Sequence, residues 1–146
     1  MKVVSLVPSI TETLFDLGLT SDEIVGRTKF CIHPKELVKD VEIIGGTKNL
    51  NIEKIKALKP DLIIANKEEN VKEQVEELMK DFKVLVTNVE TLEDNYYLIK
   101  QFGHLFGKEE KAQFLNIKTY EVFDIPKREK KLKVAYLIWK DPYMTV

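Results

Sequence analysis

The only cysteine of the chain and one of its two histidines lie in the segment Phe30-Cys31-Ile32-His33. A thiolate and an imidazole can both bind zinc or copper, but two ligands are too few for a structural metal site. The pair also lacks an evident orienting acid of the kind that activates a nucleophile. We therefore expect no dedicated metal site and no catalytic residue here, and we expect Cys31 to be a small buried apolar side chain.

A glycine-rich segment, Gly45-Gly46-Thr47-Lys48, is the second candidate for ligand contact. It lacks the spacing of a phosphate-binding loop, and no glycine fingerprint of a dinucleotide site follows the first predicted strand. Thr47 and Lys48 are candidates because a lysine ammonium can meet a carboxylate or a phosphate on a ligand. A solvated lysine without a special role is the open alternative.

The start of the first predicted helix is the third candidate, because Ser9-Ile10-Thr11-Glu12 fits a capping box. Free amides and a partial positive charge at a helix N-terminus favour an anionic ligand group. Ser9, Thr11 and Glu12 are therefore candidates for ligand contact. A plain helix cap explains the same three residues, so both interpretations stay open.

Alternating strands and helices are expected to position these candidates. Short apolar runs predict strands at 3–7, 23–26, 62–65 and 83–87. Helices are predicted at capping residues that stand before apolar stripes, namely Ser9, Asn51, Asn70 and Thr91. This order predicts an α/β fold, a mostly parallel sheet with helices on both faces. Ligands of such sheets bind outside the carboxyl ends of the strands.

Composition excludes several classes of function. The chain has 146 residues, of which 44% are hydrophobic and 32% charged, as in a soluble globular domain. Its net charge of −1 provides no basic field for nucleic acid or anionic lipid. No apolar run approaches the roughly 20 residues that span a bilayer. We expect neither a nucleic-acid partner nor a direct membrane span.

Both ends of the sequence raise questions about the whole protein. Met1 and Lys2 lead straight into the first strand without a visible signal peptide. Either the protein is cytosolic, or a secretion or lipid-anchor segment has been removed from it. Near the other end, the basic stretch 127–133 precedes a strand-like run at 134–139. A strand of this kind needs a sheet to enter. We therefore expect the chain to be the first part of a longer, two-lobed protein.

Three segments carry a family resemblance. They are Val-Pro-Ser-Ile-Thr-Glu-Thr near the start, Gly-Gly-Thr with the later Asn-Ile-Glu-Lys-Ile-Lys-Ala-Leu-Lys-Pro-Asp-Leu-Ile-Ile-Ala, and Val-Ala-Tyr-Leu-Ile-Trp near the end. Together they resemble the helical-backbone substrate-binding proteins of ABC importers for cobalamin, haem and iron–siderophore complexes. The resemblance implies two α/β lobes joined by a long helix. Residues 1–107 would form the first lobe, 108–131 the connecting helix and junction, and 132–146 the first strand of an incomplete second lobe.

The resemblance also implies which residues face a ligand. The loop with Phe30, Cys31 and His33 would line the cleft, with contact between a thiolate or imidazole and the metal of a bound chelate left open. Asn66 and Lys67 follow a strand at a place where the family commonly puts a ligand-facing side chain. That side chain is aromatic in some cobalamin binders, so asparagine weakens the cobalamin assignment. Trp139 and Tyr143 would offer aromatic surface from the second lobe, with core packing as the alternative.

An acidic helix is the last element with an implied role. Family members dock onto their permease through an exposed glutamate on each lobe, and Glu69 and Glu73 are candidates for this lobe. Such contacts steer association more than they add affinity. An ordinary solvated acidic face explains the same helix equally well.

The function implied is therefore capture of a metal chelate for an ABC importer, without catalysis and without a cofactor other than the ligand itself. The partners would be the chelate and the permease subunits, and the protein would be periplasmic or at the cell surface if an export signal was removed. One alternative is a cytosolic sensor or chelate handler of the same fold without a transporter. Another is an α/β enzyme with an unrecognised site.

Overall fold

A computed structural model describes residues 1–124 and 133–145 of the chain. The helices in chain order are α1 Pro8–Asp16, α2 Lys35–Val38, α3 Ile52–Leu58, α4 Lys72–Leu78, α5 Leu92–Phe106 and α6 Glu109–Phe123. The strands are β1 Val3–Ser5, β2 Ile24–Arg27, β3 Glu42–Ile43, β4 Gly45–Gly46, β5 Asn49–Leu50, β6 Leu62–Asn66, β7 Val84–Thr87, β8 Leu137–Trp139 and β9 Met144–Thr145.

Five of these strands form one parallel sheet in the order β3-β2-β1-β6-β7. Its central strands are mainly apolar, with a polar residue only at the carboxyl end of β1 and of β6, as is usual for parallel sheets covered by helices. Val3 and Val4 of β1 and Ile63 and Ile64 of β6 are fully buried. The predicted α/β class with a parallel sheet is confirmed.

The helix starts were predicted with mixed success. The capping box at Ser9 is wrong, since α1 begins at Pro8 after Val7, without a side-chain cap. Proline suits a first helical position because its φ is preset and it has no N–H to satisfy. Asn51 does cap α3, accepting a hydrogen bond from the Lys54 amide at 3.0 Å. Asn70 does not cap α4, whose N-cap is Val71.

The glycine-rich segment forms a small antiparallel hairpin. Gly45–Gly46 is strand β4, which pairs with β5, and the turn lies at Thr47 and Lys48. Gly45 has a φ of +115°, and a Cβ there would lie 2.4 Å from the Asn49 carbonyl oxygen. Only glycine fits this close backbone approach. The hairpin was missed because two-residue strands containing glycine have no apolar alternation to read.

Helices α5 and α6 form a packed pair that follows the sheet. Thr91 and Asp94 make the expected capping box at the start of α5, and Gly107, with a φ of +63°, ends the helix. The two helices approach closely at Gly103, where a Cβ would lie 2.5 Å from that of Ala112. Helix α6 occupies the region predicted to connect two lobes.

The tail forms a structure of its own. Strand β8 pairs antiparallel with β9 and does not join the five-stranded sheet. The predicted strand at 134–139 is therefore too long, since it begins at Leu137, and it finds a partner within the chain. Val134 and Tyr136 are 82% and 69% exposed. Most of the predicted basic junction, 127–132, lies outside the described residues, and the domain boundaries stay a prediction.

Candidate functional site

Loops at the carboxyl edge of the sheet gather most of the predicted site residues. Parallel strands end at the same edge, so the segments that follow β1, β2, β3 and β6 are neighbours. We call residues 28–33 together with the β4–β5 hairpin the β2 arm. We call residues 66–70 the β6 arm. The N-terminus of α1, which follows the central strand β1, lies between the strands that carry the two arms.

The β2 arm presents apolar side chains to solvent. Phe30 and Ile32 are 52% and 57% exposed. The Lys29 ammonium lies 5.1 Å from the centroid of the Phe30 ring, and a Cβ on Gly46 would lie 3.4 Å from that ring. The absence of a side chain at Gly46 thus leaves room for the ring. His33 is also exposed, so Phe30, Ile32 and His33 are available to a ligand.

Beneath this arm, Thr11 and Cys31 belong to a buried polar cluster. Thr11 Oγ1 lies 2.8 Å from Ser5 Oγ, 2.9 Å from the Val7 carbonyl oxygen and 3.1 Å from Cys31 Sγ. Thr28 Oγ1 lies 3.2 Å from the same sulfur. Thr11 and Cys31 are 0% and 1% exposed, so the expectation that they touch a ligand is corrected. They support the loop, because their hydrogen-bonding atoms face one another.

The β6 arm is organised by the Asn66 amide. Its Oδ1 accepts from the Glu68 and Glu69 amides at 2.9 and 3.1 Å. Its Nδ2 donates to the Thr87 carbonyl oxygen at 3.3 Å and to Thr87 Oγ1 at 3.2 Å. Two acceptor positions and two donors are the full capacity of this group. The amide thus holds its own loop against β7, and contact between Asn66 and a ligand stays a prediction.

A polar hollow of about 230 Å³ lies between α1, α5 and the β6 arm. Its polar lining consists of Ser9, Thr13, Asn66, Glu68, Glu69, Thr87 and Asn95. The structure thus brings Ser9, Asn66 and Glu69 together. Because two carboxylates stand beside the start of α1, the hollow favours a neutral or cationic ligand group over the anionic one expected there. Sequence reasoning missed Thr13 and Asn95, which lie inside helices and carry no motif.

The hairpin residues have partners within the chain. Thr47 is 8% exposed, and its carbonyl oxygen accepts from Asn70 Nδ2 at 3.1 Å. Lys48 is exposed and its ammonium donates to the Glu68 carbonyl oxygen. Thr47 is therefore a buried turn residue, and the exposed Lys48 links the two arms.

The other predicted residues lie farther from these contacts. Glu12 and Lys67 are exposed, on α1 and on the β6 arm, and Glu73 is exposed in the first turn of α4. Tyr143 is 70% exposed in the β8–β9 hairpin, and Trp139 ends strand β8. Contact of these residues with a ligand or a permease stays a prediction.

Larger hollows exist beside α5, away from the predicted residues. One of about 450 Å³ lies between α5 and α6, with Tyr96, His104 and Tyr120 in its lining. Within 1–124 and 133–145, no three His, Cys, Asp or Glu side chains are grouped as a metal site. No helix in the same ranges is both long enough and apolar enough to cross a membrane.

Comparison with known proteins identifies the fold and the family. The family model for periplasmic binding proteins matches residues 3–118. An uncharacterized ABC transporter substrate-binding lipoprotein of Bacillus subtilis is 36% identical over 135 residues, which cover 88% of this chain and 42% of that protein. A vitamin B12-binding protein of Salmonella typhimurium is 33% identical over 113 residues, covering 77% and 41%.

A solved structure agrees with these sequence matches. It is that of a possible iron-binding (periplasmic solute-binding) protein from Staphylococcus epidermidis, with a TM-score of 0.79 and 29% identity. The match covers 97% of this chain and 57% of that chain. The chain spans less than half the length of the two curated relatives. The resemblance seen in the sequence is confirmed, and the chain belongs to the periplasmic binding protein family.

Proposed function

We propose that this chain is part of the substrate-binding component of an ABC importer and that it contributes one side of a cleft for a metal chelate. The observation that carries the proposal is the carboxyl edge of the sheet, where an exposed apolar arm stands beside a polar hollow. A ligand with an apolar face and polar edges fits such a rim. Relatives named for vitamin B12 binding and for ABC transport support the same class.

The ligand would lie with its apolar face on Phe30 and Ile32. These side chains can lose water on binding, which provides most of the favourable free energy at such sites. The polar edge would lie toward Ser9 and the hollow of the β6 arm. Neither Thr47 nor Asn66 provides an aromatic surface, so a broad stacked contact on this lobe would depend on Phe30 alone among the predicted site residues.

The remaining parts of the proposal concern the rest of the protein. Residues 1–107 would form the first lobe, 108–131 the connection and 132–146 the start of a second lobe, with Trp139 and Tyr143 toward the ligand. Glu69 and Glu73 would meet basic residues of a permease. The protein would bind without catalysis or a resident cofactor and would act outside the cytoplasm, as the relatives named lipoprotein and periplasmic do.

The test is a titration of the natural protein with cyanocobalamin, dicyanocobinamide, haemin and ferrioxamine. Binding is followed by quenching of tryptophan fluorescence, to which Trp139 contributes, and by calorimetry. We expect at least one chelate to bind with a Kd below about 10 μM, a free energy near −7 kcal/mol. Weaker binding of all four would refute the chelate proposal.

A further inference from the structure

A single buried amide connects the segments that form the rim. Asn70 is the last residue of the β6 arm and is 6% exposed. Its Oδ1 accepts from the Asn66 amide at 2.8 Å. Its Nδ2 donates to the Leu6 carbonyl oxygen at 3.2 Å and to the Thr47 carbonyl oxygen at 3.1 Å. The side chain therefore contacts the end of β1, the hairpin turn and the start of the β6 arm at once.

Few side chains can make this set of contacts. The arrangement needs two donors directed at two carbonyl oxygens and one acceptor directed at an amide, which is what a carboxamide offers. A carboxylate would lack the donors, and a hydroxyl has only one hydrogen. The three partners are also 64, 23 and 4 residues away in sequence, so the contact is tertiary rather than a local turn.

The hairpin depends on such links for its position. Strands β4 and β5 form a two-stranded sheet that is separate from the five-stranded sheet. Besides its bond to Asn70, the hairpin has two further hydrogen bonds on this side. The Leu50 amide donates to Gln74 Oε1 of α4 at 3.2 Å, and Lys48 donates to the Glu68 carbonyl oxygen of the β6 arm. Toward residues 28–33 of its own arm, the Gly45 carbonyl oxygen accepts from the Lys29 amide at 2.8 Å. The hairpin thus connects residues 28–33 with the β6 arm.

We propose that Asn70 is a positioning residue for ligand binding, because its amide fixes the β2 arm and the β6 arm at the separation that a ligand needs. This inference rests on the proposed function. Asn70 is buried beneath the rim and acts through Thr47 and Asn66, not by touching the ligand. Without the amide, the hairpin loses its buried bond to the β6 arm and keeps the bonds of Lys48, Leu50 and Gly45, so it samples other positions.

The test compares Asn70→Ala with Asn116→Ala in the natural protein. Asn116 is a matched control, since it is 4% exposed and its Nδ2 donates to the Tyr96 carbonyl oxygen at 3.1 Å between α5 and α6. We expect Asn70→Ala to weaken the tightest of the four chelates about tenfold, as happens when the binding arrangement is populated about a tenth of the time. Asn116→Ala should lower the melting temperature similarly but leave affinity within about twofold.

A second measurement needs no ligand. Amide hydrogen exchange should become faster at Asn66 and in the hairpin for Asn70→Ala, and in α5 and α6 for Asn116→Ala. Equal loss of affinity in both variants would overturn the inference, because a merely destabilised fold would explain it. Unchanged affinity or unchanged exchange for Asn70→Ala would overturn it as well.

Failure of the proposed function can be recognised separately. If the wild-type protein binds none of the four chelates, the chelate proposal fails, while hydrogen exchange still tests whether Asn70 holds the arms. If Asn70→Ala does not fold, Asn70→Ser takes its place, since a single hydroxyl hydrogen cannot serve both carbonyl oxygens. Faster hairpin exchange with weaker binding supports the inference, and wild-type exchange and affinity in Asn70→Ser overturn it.

Discussion

The two arms of the rim use their side chains in opposite ways. In the β2 arm, Phe30 and Ile32 are more than half exposed, and the polar groups that hold the loop lie beneath it at Thr11 and Cys31. In the β6 arm, the Asn66 side chain accepts from the Glu68 and Glu69 amides of its own loop and donates to Thr87 of β7. The β2 arm therefore exposes apolar surface, whereas the Asn66 amide of the β6 arm forms hydrogen bonds within the protein.

The difference follows from the needs of the backbone. A tight loop leaves N–H and C=O groups without partners in regular structure, and nearby side chains satisfy them. Asn66 and Asn70 do this for the β6 arm, so their position near a cleft does not make them ligand contacts. Phe30 has no such task, and its exposed ring costs free energy unless something covers it. The apolar arm is thus the better indicator of a ligand.

The strongest test of the hairpin as a fixed part of the rim is Gly45→Ala. Its φ of +115° is strained for an L residue, and the new Cβ would lie 2.4 Å from the Asn49 carbonyl oxygen. We expect the free energy of unfolding to fall by about 3 kcal/mol in urea titration.

The control is Gly107→Ala, at a φ of +63° with no heavy atom within 4 Å of the added Cβ. It should cost only about 1 kcal/mol, the usual penalty of a left-handed residue. If both variants lose the same free energy of unfolding, the hairpin backbone adapts to the added Cβ and is not a fixed part of the rim.

The buried cluster beneath the β2 arm is tested by Thr11→Val. This nearly isosteric change removes the hydroxyl that contacts Ser5, Val7 and Cys31. We expect a loss of about 2 kcal/mol in the free energy of unfolding, because buried polar atoms lose partners. Thr13→Val is the control: its hydroxyl donates to the Ser9 carbonyl oxygen at a partly exposed position, and it should cost less than about 0.5 kcal/mol.

Phe30→Ala tests whether exposed apolar surface in the β2 arm serves the ligand. The variant should bind the preferred chelate about tenfold more weakly in calorimetry, or about 1.4 kcal/mol, because an apolar contact is lost. Its melting temperature should stay near the wild-type value, since the ring is 52% exposed. Tyr97→Ala, which removes a ring that is 66% exposed on α5, should change neither quantity. Weaker binding in both variants would mean that the exposed ring of Phe30 has no specific role in binding the ligand.

The sequence predicted the parallel sheet well because its strands are buried apolar runs. The strands at β1, β6 and β7 and the caps at Asn51 and Thr91 follow from short-range patterns. The hairpin does not, since Gly45 is explained only by the backbone of Asn49, which approaches it in three dimensions. The pattern of neighbouring residues in the sequence does not reveal that approach.

The candidate site was predicted as a location but not as a set of contacts. Residues 30, 33, 66 and 67 were expected to face a ligand on the basis of family resemblance, and the structure has them on the two arms. Their roles could not be predicted from the sequence, because a polar side chain can be used in hydrogen bonds to groups that are distant along the chain. Asn70 looked like a helix cap, yet it bonds Leu6, 64 residues away.

A final comparison sets the β6 arm against the next loop, which follows β7 and is held by a carboxylate. The hydroxyl of Thr91, and then the amides of Glu90 and Thr91, lower the pKa of Asp94 below its ordinary value. A lowered folded-state pKa means stability that is present above pH about 4 and is lost as the pH falls through the folded pKa. The amides of Asn66 and Asn70 do not titrate, so the hydrogen bonds that these two side chains make have no such dependence.

Thr91→Ala should therefore raise the Asp94 pKa toward its ordinary value, as followed by NMR titration of the carboxyl carbon, because the largest stabilising contact of the carboxylate is lost. Thr91→Ser keeps a hydroxyl and should keep the lowered pKa. The stability difference between wild type and Thr91→Ala should be smaller at pH 3 than at pH 7, because protonation removes part of the same contact from the wild type. Equal differences at the two pH values would show that the loop after β7 is held as the β6 arm is, without help from charge.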